Sequence, residues 1–336
     1  MLESILLTIA TASTPLLLAA IGELVVERSG VLNLGVEGMM LMGAVIGFGV
    51  SLSTGNPWLG VLGGMLAGAL FSQLFAFLAL TLATNQVATG LALTLLGIGA
   101  SGMLGEAFVG QPGIKLGSIH DVWIIGPVFQ SLSGLPFGRF LFGQDPLFYV
   151  SLLLVAGVAW FLFRTRAGLT LRSVGDSHTS AHALGIRVIP IRYAAVAFGG
   201  ACAGLAGAQM SLVYTSQWIE NMTAGRGWIA LALVVFASWR PLRVLLGAYL
   251  FGAITIAQLH VQAMNPADIA TTSGPLGLLA EAARWLLISM KSVPAQFLSA
   301  LPYMATVVVL VLISRNRRLT LINTPASLGR PFVPDR

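Results

Sequence analysis

The chain has 336 residues, 56% hydrophobic and only 9% charged, with a mean hydropathy of +0.88. Soluble domains carry roughly 25% charged residues, so the composition excludes a soluble globular protein and identifies an integral membrane protein. The formal net charge of +6 sits in loops between apolar runs, which argues against nucleic acid as its partner, and the lone Cys202 excludes a disulfide framework.

The N-terminal stretch "MLESILLTIATASTPLLLAAIGELVVE" has no Lys or Arg before its apolar run and carries Glu3 instead. It reads as a retained first span and not as a cleaved signal. A helix needs about 20 apolar residues to cross hydrocarbon. Runs of that kind fall near 4–24, 33–52, 57–82, 85–108, 147–163, 191–213, 242–260 and 293–313. A shorter piece, 227–239, spans only if extended or helped by neighbours. The fold class expected is therefore all-α, a polytopic bundle of nine to ten spans in one domain, 1–336. The stretch 276–290 carries Glu281 and Arg284 three residues apart and reads as a partly buried or interfacial helix.

Residues 27–44, "ERSGVLNLGVEGMMLMGA", place Asn33 and Glu37 in an apolar stretch among Gly30, Gly35 and Gly38. An ionisable group in a span costs about 2.5–3.5 kcal/mol on insertion scales and usually faces the bundle interior or a wet cavity. Two readings stay open. If helical, residues four apart share a face that lines a route for a polar solute. Otherwise Glu37 lies near the interface and holds helices together. The glycines offer a third possibility, an interrupted helix of the transporter kind. Asn85 and Gln86 begin another span, and Arg226 lies in "TAGRG" near the outer end of a third. Tyr214, Trp218 and Trp228 suit either solute stacking or an interfacial aromatic belt. Gly60, Gly64 and Gly68 form one small-residue stripe, and Gly200, Gly204 and Ala208 another, as expected where helix backbones pack closely in lipid.

Counting basic residues in alternate loops puts 13 of the 18 on one side and five on the other. By the positive-inside rule the richer set is cytoplasmic, and with it the C-terminus and the loop 164–190. The outer face then holds a Gly-, Pro- and aromatic-rich segment, 109–146, which meets a partner or folds back over the bundle. In the cytoplasmic loop, Gly175 separates two short helical pieces. The first is 168–174; the second is capped at Asp176 or Ser177 and closed by Gly185. The loop is too long to be only a connection; it presses against a protein partner or anchors on anionic lipid. His178 and His182 are four apart, but no HExxH and no third ligand accompanies them, so no metal site is expected.

This loop resembles the subunit-coupling loop of ATP-binding-cassette (ABC) importer permeases of the branched-chain amino acid and ribose group, whose pattern is "G..LRAVGEN..AA..LGI". The matching residues are Gly168, Leu171, Arg172, Val174, Gly175, Ala181, Leu184, Gly185 and Ile186; Asp176-Ser177 replaces Glu-Asn, and His182 replaces an alanine. Residues 27–44 look like the signature of the nucleoside and simple-sugar permeases in that group. "NQVATGLALTLLG" (85–97), "TAGRGWIALALVVFASWRPL" (223–242), "ALPYMATVVVLVL" (300–312) and "TPASLGRP" (324–331) follow in order, with "SWRPL" in place of a more usual "GxWxPL". The resemblance implies a multi-pass permease of the bacterial inner membrane that moves nucleosides or simple sugars. A branched-chain amino acid permease is the alternative, and an ion-coupled carrier or channel the rival from another class. It implies a cytoplasmic ABC ATPase docked on the loop, where Asp176 joins the matching residues. A second permease subunit, identical or paralogous, and an extracytoplasmic solute-binding protein complete the assembly. No GxxxxGK(S/T) is present, so ATP and Mg belong to the partner, and no catalytic residue or cofactor is expected here. The likeness of "LNLGVEGMMLMGAVIG" to "GRGWIALALVVFAS" hints at an internal duplication.

Overall fold

The computed structural model describes residues 2–118, 142–263 and 323–333, with a few isolated positions between 297 and 311. Among these residues every regular element is a helix. The elements are α1 (Leu2–Arg28), α2 (Val36–Thr54), α3 (Pro57–Ala76), α4 (Gln86–Gly105), α5 (Pro146–Arg164), α6 (Arg166–Asp176), α7 (His178–Ala183), α8 (Val188–Gln209), α9 (Arg226–Phe236) and α10 (Pro241–Ala263). Helices α3 and α8 each end in a turn of π-helix, Phe77–Thr81 and Met210–Tyr214. Seven helices are long and apolar enough to cross a membrane, and they match the first seven long runs expected. The eighth run, 293–313, and the helix expected at 276–290 lie largely or wholly outside the described residues.

The helix starts follow local chemistry. Asn56, Asn85, Asp145, Thr165 and Ser177 each accept a backbone N–H of the first turn they cap, satisfying donors that no earlier carbonyl reaches. Pro57 and Pro146 stand in the first turn, where a missing N–H costs nothing. Pro15 is inside α1 and cannot donate to the carbonyl of Thr11. The Gln209 side chain of α8 donates to that carbonyl instead, at 3.4 Å. In a medium without water such a freed group must find a protein partner.

Helices α2, α3 and α8 form the tightest part of the bundle, and glycine permits it. The two predicted small-residue stripes meet each other. A Cβ on Gly68 would collide with the Gly200 carbonyl oxygen and lie 2.6 Å from Gly204 Cα; one on Gly64 would lie 2.6 Å from the Gly43 carbonyl oxygen and 2.7 Å from Ala208 Cβ. Helix α1 is wrapped by α8, α10, α9 and α5. The outer faces of α3, α4 and α5 expose Leu70, Leu95, Met103, Leu153 and Trp160, the inverse of a soluble surface and suited to lipid. Helices alternate in direction, so the 29–35 connection, α6, α7, the 237–240 turn and the 323–333 tail gather at one end. The opposite end holds Gly55, the extended 111–118 segment and residues 215–222.

Candidate functional site

The helix expected from residue 33 onward is broken. Chain direction changes at Gly30, in the left-handed region at φ +88°, and α2 does not begin until Val36. Asn33 and Glu37 therefore do not share a helix face; only Glu37 is helical. Residues 29–31, 33 and 35 are buried, and Leu32 and Leu34 are partly exposed. Polar side chains satisfy this non-helical backbone. Gln86 Oε1 accepts the Leu32 N–H at 2.9 Å, Glu23 Oε1 accepts the Asn33 N–H at 3.3 Å, and Thr94 Oγ1 donates to the Leu34 carbonyl at 2.9 Å. Asn33 Oδ1 accepts the Gly35 N–H at 3.0 Å, closing an Asx turn into α2.

A second break faces it. Helix α9 has 11 residues, about 16 Å at 1.5 Å per residue, half of the roughly 30 Å hydrocarbon core. Its N-terminus lies against Glu37. The carboxylate accepts from Thr223 Oγ1 at 2.5 Å, Gly225 N–H at 2.7 Å and Gly227 N–H at 2.6 Å. An anion is favoured at a helix N-terminus, where N–H groups point outward and the helix dipole is positive. Gly225 is left-handed at φ +82°, and a Cβ on Gly227 would lie 2.6 Å from the Glu37 backbone. Both α2 and α9 thus begin at one buried carboxylate.

Two further buried acids were not singled out from the sequence. Glu23 and Glu27, one helical turn apart on α1, are each 1% exposed. Glu27 accepts the indole N–H of Trp239 at 2.5 Å, and the Arg28 guanidinium donates to the Trp239 carbonyl at 3.0 and 3.2 Å. Ser238 and Trp239 both hold left-handed backbone, φ +49° and +53°, a costly conformation for residues other than glycine. The paired contacts from α1 pin the "SWRPL" turn in that shape. The signal was present in "GELVVER", two acids at i, i+4 in an apolar helix.

The remaining expected pathway residues separate. Gln86 is buried beside the first break. Asn85 is exposed and caps α4, its Oδ1 accepting the Ala88 N–H at 3.0 Å. Arg226 is partly exposed at the start of α9; its guanidinium lies over the Tyr214 ring, 5.0 Å from the centroid, and donates to Met210 Sδ at 3.6 Å. Trp218 is buried, packed on Gly105, while Trp228 is partly exposed.

The loop between α5 and α8 contains the two expected short helices, but the break between them falls at Ser177. Gly175 is inside α6 with no positive φ. It is glycine because α6 packs on the α1–α2 connection: a Cβ there would collide with the Arg28 carbonyl oxygen. Gly168 likewise abuts the Phe161 carbonyl, and Leu171 and Val174 are buried. Asp176, Leu184 and Gly185 face outward, Leu184 at 82% exposure, while Arg172 and Ile186 are partly covered. Gly185, at φ +80°, reverses the chain after α7. The inward set fastens the loop to the bundle, and the outward set forms its tip.

A helical bundle with lipid-facing apolar sides, two buried helix breaks and a helical loop at one end is the architecture of a multi-pass membrane transport protein. Residues 5–279 match the family described as branched-chain amino acid transport system / permease component, and the chain belongs to that family. It is 43% identical over 300 residues to TsgC13 of Haloferax volcanii, provisionally described as a glucose ABC transporter permease, covering 89% of this chain and 88% of that one. It is 32% identical over 319 residues to the nucleoside ABC transporter permease NupC of Lactococcus lactis, covering 93% and 92%. With the guanosine ABC transporter permease NupQ of Bacillus subtilis it shares 33% over 259 residues, covering 71% and 77%. No solved structure matches the chain.

Proposed function

We propose that this chain is the membrane-spanning permease of an ABC importer for nucleosides or simple sugars. The observation that carries the solute class is the near full-length likeness to permeases whose names specify glucose and nucleosides, although the family description mentions branched-chain amino acids. The route passes the two facing helix breaks. Asn33, Glu37 and Gln86 hold those breaks open in shape, while Asn85 and Arg226 offer polar groups to the solute. The chain itself carries no cofactor. A separate cytoplasmic ATPase binds ATP and Mg and docks on the tip of the α6–α7 loop. A second permease, identical or paralogous, completes the pathway, and an extracytoplasmic binding protein delivers solute. The basic end carrying α6, α7 and the tail faces the cytoplasm, and the protein resides in a prokaryotic plasma membrane, the inner membrane in a bacterium.

Uptake tests this reading. Cells lacking the gene should lose accumulation of labelled nucleosides or glucose and keep that of leucine. Loss of leucine uptake alone would move the assignment to the amino acid branch.

A further inference from the structure

The 323–333 tail makes a set of contacts that chain termination alone does not require. Ser327 N–H donates to the Gly175 carbonyl at 2.9 Å, and Gly329 N–H donates to the Gly30 carbonyl at 3.1 Å. Ser327 is 4% exposed, and its hydroxyl accepts the His178 N–H at 3.4 Å and donates to the Asp176 carbonyl at 3.4 Å. The tail therefore spans the junction of α6 and α7 and the α1–α2 connection together. Arg192 of α8, 1% exposed, completes the join. Its guanidinium donates to the Ser29 carbonyl at 3.2 Å, to the Arg330 carbonyl at 3.3 Å and lies 3.3 Å from His178 Nδ1. A buried guanidinium needs acceptors for its fork of donors, and here each comes from a different segment. Finally, Phe332 packs against both imidazoles of α7, ring centroids 5.2 Å from His178 and 5.3 Å from His182. With Val174, Ala181 and Val188 it forms a small apolar cluster separate from the main core.

We propose that residues 325–332 are a positioning strap for the coupling loop: they clamp α7 to α8 and to the first helix break, so that the loop tip and that break move as one body. The inference rests on the reading of α6–α7 as the ATPase docking loop. Without the strap, the six-residue α7, too short to hold itself, keeps only its flanking turns, the packing of Ala181 on Val174 and Val188 and the Arg192 contact to His178. A push on Leu184 would then bend the loop and would not reach residues 29–35.

The test uses the full transporter in lipid nanodiscs with its ATPase and binding protein. In the unaltered protein, hydrogen exchange at Ser327 and Gly329 should be slow; exchange as fast as in a free peptide would overturn the proposal without any mutation. Phe332→Ala and a truncation after residue 324 should keep basal ATPase activity and lose its stimulation by loaded binding protein. Phe332→Tyr should restore stimulation, and so should a 325–333 peptide added to the truncated protein. Leu184→Glu, at the exposed tip, separates the two levels of the argument. If it leaves stimulation and uptake intact, the docking reading falls and the strap with it. If it abolishes stimulation while Phe332→Ala and the truncation retain it in full, the docking reading stands and the strap proposal alone is overturned.

Discussion

Glu37 shows how a single side chain can determine where a helix begins inside a membrane. Its two oxygens receive three donors from residues 223–227, so the group serves a helix N-terminus that water would otherwise solvate. Glu37→Gln conserves size but turns one oxygen into an amide donor. If the remaining oxygen stays with Gly225, the new NH2 faces the Gly227 N–H, and that buried donor loses its partner. The expected cost is about 1–3 kcal/mol, the desolvation penalty of an unsatisfied group. The purified variant should melt at lower temperature in detergent and show reduced uptake. An unchanged melting temperature with reduced uptake would instead assign the carboxylate to solute contact.

At the scale of elements, packing rests on which glycines have neighbours. Gly68 of α3 is seated against the α8 backbone, whereas Gly99 of α4 has open space where a Cβ would go. Gly99→Ala should be neutral or stabilising by up to about 1 kcal/mol, the gain from replacing glycine within a helix. Gly68→Ala forces backbones apart along a whole interface and should lower the yield of monodisperse protein and its melting temperature. Equal behaviour of the two variants would contradict the close α3–α8 approach. The loop element follows the same logic. Spacing placed the break between two helical pieces at Gly175, but its glycine is required by the Arg28 carbonyl of another segment.

At the scale of the whole molecule, the end carrying the tail holds an imidazole whose protonation bears on the join. Burial pushes the His178 imidazole below the ordinary value of 6.5, and Arg192 and Arg330 push it further down. The charged and titratable groups around it are Arg192 of α8, Arg330 of the tail, Asp176 at the end of α6 and, across Phe332, His182 of α7. A neutral Nδ1 accepts from Arg192; an imidazolium cannot. Because the folded value lies below the unfolded one, this contribution is present in full above about pH 6.5 and is lost as pH falls through the lowered value. Exchange protection at Ser327 and Gly329 should therefore be constant from neutral to mildly alkaline pH and decline on acidification. His178→Gln should flatten that decline. A wild-type profile that is already flat would remove His178 from the join.

Composition and apolar run length settled the membrane class and the first seven spans, because a bilayer imposes a near-constant helix length and rejects charge regardless of what each helix touches. The small-residue stripes were visible for the same reason: close packing in lipid demands small side chains at helical spacing. The cap of α7 was legible to within one residue, Asp176 or Ser177, since capping is local chemistry, and Ser177 holds it. The partners of the buried polar groups were not. Glu37 with residue 227, Glu27 with residue 239 and Arg192 with residue 330 are joined across long stretches of chain, and nothing in spacing along one helix records such a match. The glycines at 30, 35 and 38 raised an interrupted helix as one possibility for Asn33, but spacing could not decide it, because an apolar run reads the same whether its backbone bonds are made within a helix or supplied by side chains from α1 and α4. Those bonds exist only once the helices are assembled, and they decide where each helix stops.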